Sequence, residues 1–327
     1  MQRVIVTGLP GQDASVLTRY LLTLPCRVWG VYRRTSSGKN FSSLEGLIPH
    51  PHLELVAGDI CDYTFINQLV KEVKPFAYVG LAAQSHVHLS FTEPIETFRI
   101  DGEAVIGQLE TIRQSSPETR FYNAASSELF GGLDCPTSGY TEGSPLHPRS
   151  PYACAKAAAF YATRNYREAY GLHVSSGILF NHSSVYRGSD FATRKITLGV
   201  AKIKAGIQDR LYMGNMDACR DEGHALDYMK AAWLILQQDR PDDYVVATGV
   251  STSIQRMLEY ACYLAGLKYE DVYREDPRFM RPSDVPFLLG DSTKIRTRLG
   301  WEPQYTWQAL ITEMLENDCK LVAQGKV

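Results

Sequence analysis

The first 180 residues alternate between short apolar runs and helix-length amphipathic runs, and this alternation restricts the fold more than any single motif. The apolar runs fall at 3–7, 27–32, 53–58, 78–82, 121–125 and 174–180, and the helical patterns between them near 13–23, 63–73, 93–115 and 151–170. Runs such as Val4-Ile5-Val6 are apolar at consecutive positions, so these strands bury both faces, as strands do in a parallel sheet covered by helices on each side. Right-handed crossovers then give an α/β, Rossmann-type doubly wound parallel sheet. Beyond residue 180, loops rich in Gly, Arg and Asp alternate with helices near 192–206, 225–238, 252–266 and 304–323, and 244–248 reads as a strand returning to the sheet. We expect residues 1–180, with a returning segment 221–249, to form the dinucleotide-binding domain. Residues 181–220 and 250–327 are expected to form a smaller, discontinuous α/β substrate-binding domain over the strand ends.

Composition limits the partners. Of 327 residues, 44% are hydrophobic and 21% charged, and the net charge of −2 gives no general reason for nucleic-acid or membrane binding. An anionic ligand must therefore be met by local Arg and Lys. The 7 cysteines are odd in number, scattered and without a CxxC, which suggests neither a disulfide framework nor a metal site and fits a reducing compartment. The chain enters a strand directly, with no signal segment and no apolar run long enough to span a bilayer, so the expectation is a cytoplasmic protein.

Thr7-Gly8-Leu9-Pro10-Gly11-Gln12-Asp13-Ala14 follows the first strand and opens the first helix. Gly8 and Gly11 permit a tight turn that brings backbone N–H groups to a pyrophosphate at the helix N-terminus; Gln12 and Asp13 belong to the same turn. After the second strand come Arg33 and Arg34, where an NAD site usually places an acid for the ribose hydroxyl. Two guanidiniums suit a 2′-phosphate, so NADP is expected, the alternative being a solvated basic loop. Asp59, with Ile60, ends the third strand where a carboxylate can accept from the adenine amino group. Leu81, Ala83 and Ser85 end the fourth, where small residues let backbone lie against the cofactor, and Ser85 is also within the expected reach of substrate. His86 is equally well a ligand-facing or a structural residue.

Ser126 and Glu128 end the fifth strand, and strand ends in such sheets face the ligand crevice. Ser150-Pro151-Tyr152 then opens a helix with an N-cap, a Pro at its first position and Gly171 placed to end it. Tyr152 and Lys156 are four apart and share one helix face, where a cation beside a phenol lowers its pKa and yields a general base. With 19 Tyr in the chain such a spacing arises by chance, so it means little without Ser126 opposite. Glu128 either adds a second base or caps the following turn. Arg187, Lys195, Arg220 and Arg281 lie in irregular segments over the crevice and suggest a diphosphate pocket; Arg194 reads as surface charge.

Together these residues resemble the extended short-chain dehydrogenase/reductases, and within them the GDP-mannose 4,6-dehydratase family, over nearly the whole chain. The segments that carry the resemblance include TGLPGQDAS, RRTSS, ASSELFG, SPYACAK, GILFNH, TRKI, RDEGHALDY and RPSDVPFLLGDSTK. The resemblance implies NADP, a GDP-sugar substrate and a homodimer or homotetramer. It implies that Ser126, Tyr152 and Lys156 handle the C4 hydroxyl, that Glu128 removes the C5 proton, and that Ser85, Asn181, Arg187, Lys195, Arg220, Arg281 and Asp284 hold the GDP-sugar. Departures lie around the sugar. Ser183-Ser184-Val185-Tyr186 stand where the family usually has Glu-Ser-Pro-Arg, Glu222 where a tryptophan is usual, and Asp284 for a glutamate; the segment 266–280 is shorter. A reductase or epimerase of a GDP-4-keto-6-deoxy sugar, or a dehydratase of a GDP-linked manno-heptose, is the alternative reading.

Overall fold

The structure, a computed structural model, describes residues 1–34, 41–280 and 282–327. Its first half runs β1 Gln2–Leu9, α1 Gln12–Leu21, β2 Cys26–Tyr32, β3 Leu53–Ala57, α2 Tyr63–Val73, β4 Ala77–Gly80, α3 Val87–Ser90, α4 Pro94–Phe98, a π turn Arg99–Glu103, α5 Ala104–Ser115, β5 Arg120–Ser126, α6 Pro151–Tyr170 and β6 Val174–Leu179. The second half runs β7 Asn181–Ser183, α7 Ala192–Lys204, β8 Leu211–Met213, β9 Cys219–His224, α8 Ala225–Leu236, β10 Tyr244–Val246, β11 Ser251–Ser253, α9 Ile254–Ala265, α10 Tyr269–Val272, β12 Tyr273–Glu275, α11 Thr293–Leu299 and α12 Trp307–Ala323.

The main sheet has the order β10-β6-β5-β4-β1-β2-β3, with every neighbouring pair parallel. Chain order reverses between β1 and β4, so a crevice opens at their carboxyl ends. Side chains alternate across the sheet as the strand period requires. Val4 and Val6 pack in one core with Leu17 of α1 and Met229 of α8, while Ile5 packs with Ile66 of α2, Leu109 of α5 and Ala159 of α6. That two-sided burial is what the consecutive apolar runs predict. A third core, including Ile196, Leu258 and Ile311, joins α7, α9 and α12.

The structure departs from the expectation in two places. The pattern at 93–115 is three pieces, because the π turn interrupts it and turns Asp101 inward, fully buried, against α6. Of the expected returning segment, α8 packs on α1 and β10 pairs with β6, but 221–224 lie in β9, the middle of a separate sheet ordered β11-β9-β7. Its outer strands are three residues long, too short for a period to show in the sequence. Among the described residues no helix is long and apolar enough to cross a membrane.

Helix α6 is built as its sequence signals. Ser150 Oγ accepts from Ala153 N at 3.1 Å, Pro151 occupies the first turn, and Gly171 closes the helix at φ 66°. Tyr152 and Lys156 are thereby fixed one turn apart beneath the end of β5.

Candidate active site

A cleft of about 1360 Å³ runs along the carboxyl ends of the main sheet and under β7, β9 and α7. At one end the β1–α1 turn requires its glycines. Gly8 has φ +97°, and a Cβ there would lie 2.8 Å from Ala82 N; a Cβ on Gly11 would lie 2.7 Å from Gly8 O. Thr7 Oγ1 holds the turn against β4 by accepting from Leu81 N at 3.1 Å and Ala82 N at 3.2 Å. A cradle that any side chain would fill, opening at a helix N-terminus, fits the pyrophosphate of a dinucleotide. Arg33, Asp59, Ile60, Leu81, Ala83 and Ser85 line the same end, whereas Arg34 lies outside the lining. Asp59 also accepts from Cys61 N at 2.9 Å, which fixes its own turn.

Gln12 and Asp13 line the cleft, but their side chains are engaged by the segment after β6. Gln12 Nε2 donates to His182 O at 3.3 Å, Ser184 Oγ donates to Gln12 Oε1 at 3.1 Å, and His182 Nε2 lies 3.0 Å from Asp13 Oδ2. Burial works to raise the Asp13 pKa, yet the charge and hydrogen bond of His182 hold it down to about 2. Burial opposes the charge on His182 too, and Asp13 raises its pKa above the ordinary value. His182 further bonds Phe180 O at 2.7 Å and stacks on Tyr228.

In the middle of the cleft Ser126, Glu128, Tyr152 and Lys156 meet. Ser126 Oγ accepts from Glu128 N at 3.2 Å and acts on the Tyr152 phenol to favour its charged form. Glu128 donates its main-chain N–H in the turn, and the residue lines the cleft wall. The Lys156 ammonium donates to Ala124 O at 3.1 Å and stands 5.9 Å from the Tyr152 ring centre. The expected lowering of the Tyr152 pKa is not found in the protein alone. Burial raises it, Asp101 and Glu128 add to the rise, and the Ser126 side chain and the charge of Arg187 only partly offset it.

Asp101 went unnoticed in the sequence because it lies inside a helical pattern. One oxygen accepts from Gln84 N at 2.8 Å and the other has no hydrogen-bond partner among the described residues. Burial raises its pKa to about 6, against the pull of Lys156 and of that N–H.

The other end of the cleft is lined by Asn181, Arg187, Lys195, Arg220 and Asp284; Arg281 lies outside the described residues. Arg220 approaches Asp284 at 3.6 Å, and Asn215 Nδ2 donates to Asp284 Oδ2 at 2.9 Å. The Lys195 ammonium sits over the Phe279 ring at 3.1 Å, and burial lowers its pKa. Arg194 is not surface charge: it is buried, pairs with Asp318 at 2.7 Å and donates to Val185 O, which anchors α7. His86 accepts from Leu89 N as the cap of α3 and also borders the cleft. Within the Arg-Asp-x-Gly-His-Ala string, Asp221 accepts from Thr248 N, Thr248 Oγ1, Gly249 N and Gly290 N, and His224 pairs with Glu313 at 2.9 Å. Much of that string is therefore architecture.

A doubly wound parallel sheet, a glycine cradle at the switch point and a Ser-Tyr-Lys group at the end of β5 together define a short-chain dehydrogenase/reductase. Within that class, the family profile described as GDP-mannose 4,6 dehydratase matches residues 5–314, and the chain belongs to this family. GDP-mannose 4,6 dehydratase 1 of Arabidopsis thaliana is 41% identical over 333 residues, covering 99% of this chain and 91% of that protein. GDP-mannose 4,6-dehydratase of Vibrio cholerae is 40% identical, covering 98% and 94%. Among solved structures, DesIV of Streptomyces venezuelae, a dTDP-glucose 4,6-dehydratase with NAD and TYD bound, superposes with a TM-score of 0.86 at 24% identity over 98% of both chains. RMD of Pseudomonas aeruginosa, complexed with NADPH, gives 0.81 at 22%, over 98% of this chain and 100% of that one. At these identities the structural likeness speaks for the fold alone.

Proposed function

We propose that this protein is an NADP-dependent GDP-mannose 4,6-dehydratase that forms GDP-4-keto-6-deoxymannose. The observation that carries this reading is that two bases line one cleft. Glu128 lines the cleft together with Ser126 and Tyr152, and simple hydride transfer has no use for a second base.

Tyr152 takes the C4 hydroxyl proton, with Ser126 holding the same oxygen and Lys156 adding positive charge beneath. Glu128 removes the C5 proton, made acidic by the C4 ketone, as water departs from C6. The glycine turn and Arg33 would hold NADP, which would supply the hydride acceptor for C4 and the donor for C6; burial keeps the Tyr152 phenol protonated, and the charge of Arg187 works against that rise. The preference for NADP is supported by Arg33 on the cleft wall at the end of β2. Arg187, Lys195 and Arg220 supply local cations for a diphosphate in a chain of net charge −2.

The same reading assigns residues 1–180 with 225–249 to the cofactor, and 181–220 with 250–327, joined by 221–224 of β9, to the GDP-sugar. A homodimer or homotetramer is supported by apolar side chains left exposed on α4, α5 and α6, among them Ile95 at 82%, Phe98, Ile106 and Tyr161.

Incubation with GDP-mannose and NADP, without reductant, tests the activity. The expected product has lost one water with no net reduction of NADP. Unchanged GDP-mannose, together with NADPH consumption on a 4-keto sugar, would move the assignment to a reductase.

A further inference from the structure

The sugar end of the cleft holds a carboxylate that the chemistry above does not use. Glu222 on β9 is only 4% exposed, yet it forms part of the cleft wall. Its Oε1 accepts from Ser183 Oγ at 2.6 Å, and the Thr193 side chain is a second hydrogen-bond partner. A carboxylate offers roughly four acceptor sites, so these two donors leave about half its capacity unused. Buried acceptors are normally satisfied, and a buried carboxylate is unfavourable unless its oxygens are engaged.

Two neighbours have unmatched capacity of their own. Among the described residues Asn181, the register partner of Glu222 across the β7–β9 pair, has a buried Oδ1 with no hydrogen-bond partner. Arg187 has a buried Nε with none. The Arg187 charge acts on both Glu222 and Tyr152, so this polar group lies within electrostatic reach of the phenol. The Asn181 and Arg187 atoms are themselves shielded, so the group that can meet a ligand is Glu222, whose spare acceptor capacity matches a hydroxyl donor. The Glu222 carboxylate does not match an apolar ligand, or a phosphate, which it would repel.

We propose that Glu222 is a specificity-determining residue, accepting a hydrogen bond from a hexose hydroxyl that does not react. Since C4 and C6 are the reacting positions, that hydroxyl is the one on C2 or C3. The inference rests on reading the cleft as the GDP-mannose site.

The test compares kcat/KM of the wild type and Glu222→Gln on GDP-mannose, GDP-2-deoxymannose and GDP-3-deoxymannose. Gln keeps the size and the Ser183 contact but removes the charge. On GDP-mannose the variant is expected to lose about 10- to 100-fold, the range for a hydrogen bond to a charged group. On the analogue lacking the recognised hydroxyl the loss disappears, because the partner is already gone. An equal loss on all three substrates makes Glu222 structural and overturns the proposal, as does no loss on GDP-mannose. If Glu222→Gln does not fold, judged by circular dichroism, Glu222→Asp carries the same three-substrate comparison through the shortened side chain. Absence of wild-type turnover of GDP-mannose removes the site reading itself, an outcome distinct from turnover that is indifferent to residue 222.

Discussion

His182 Nε2 and Asp13 Oδ2 lie 3.0 Å apart, and this ion pair fastens the glycine turn to the strand that carries Asn181. Asp13→Asn is expected to cost about 1–2 kcal/mol in urea unfolding, less than a fully buried pair because the Asp13 side chain stays a quarter exposed. The sign with pH follows from both partners. The contribution of Asp13, whose pKa is lowered from 3.8 to about 2, is present above 3.8 and lost as pH falls. That of His182, whose pKa is raised from 6.5, is full below 6.5 and lost as pH climbs through the raised value. The gap between wild type and variant should therefore be widest between 3.8 and 6.5.

Asp101 works in the opposite sense. Its pKa of about 6 in the folded chain, against an ordinary 3.8, means that ionising it in place destabilises the protein. The displacement corresponds to roughly 3 kcal/mol, lost as pH rises from below 4 to above 6. Asp101→Asn should raise the melting temperature at pH 8, with the gain fading by pH 4. The same variant removes a charge that raises the Tyr152 pKa, so the acidic limb of the kcat/KM profile should move to lower pH.

Glu128→Gln separates the two proton transfers. Reversible hydride exchange at C4 should persist, read as isotope exchange between labelled GDP-mannose and NADPH. Dehydration should fall by about 10²- to 10⁴-fold, the usual worth of a positioned base. Unimpaired release of water would remove Glu128 from its assigned role.

Arg33→Ala tests the cofactor preference. The dissociation constant for NADP should rise at least about tenfold, as expected for a lost charged hydrogen bond, while that for NAD stays nearly constant. Equal changes for both would leave Arg33 without a role at the 2′-phosphate.

The main sheet was legible because its strands are apolar on both faces and its helices carry clear caps. The Ser126, Glu128, Tyr152 and Lys156 group was legible because all four sit at the end of β5 or the start of α6. What sequence reasoning missed depends on contacts between distant segments. Asp101 is hidden by a π turn within a helical pattern, and His182 becomes significant only when Asp13, 169 positions away, is placed beside it. Arg194 reads as surface charge until Asp318, at the other end of the chain, is seen to bury it. Glu222 could be noticed as a departure, but its partners Ser183 and Thr193 come from other elements.

Strand β9 carries Arg220 and Glu222 to the cleft, while Asp221 between them binds Thr248, Gly249 and Gly290. Alternation along the strand thus places cleft-lining and anchoring side chains at neighbouring positions. Mutation can explore new sugar preferences at 220 and 222 while a single unchanged aspartate keeps the wall in place, whereas inserting one residue would exchange the two duties and forfeit both.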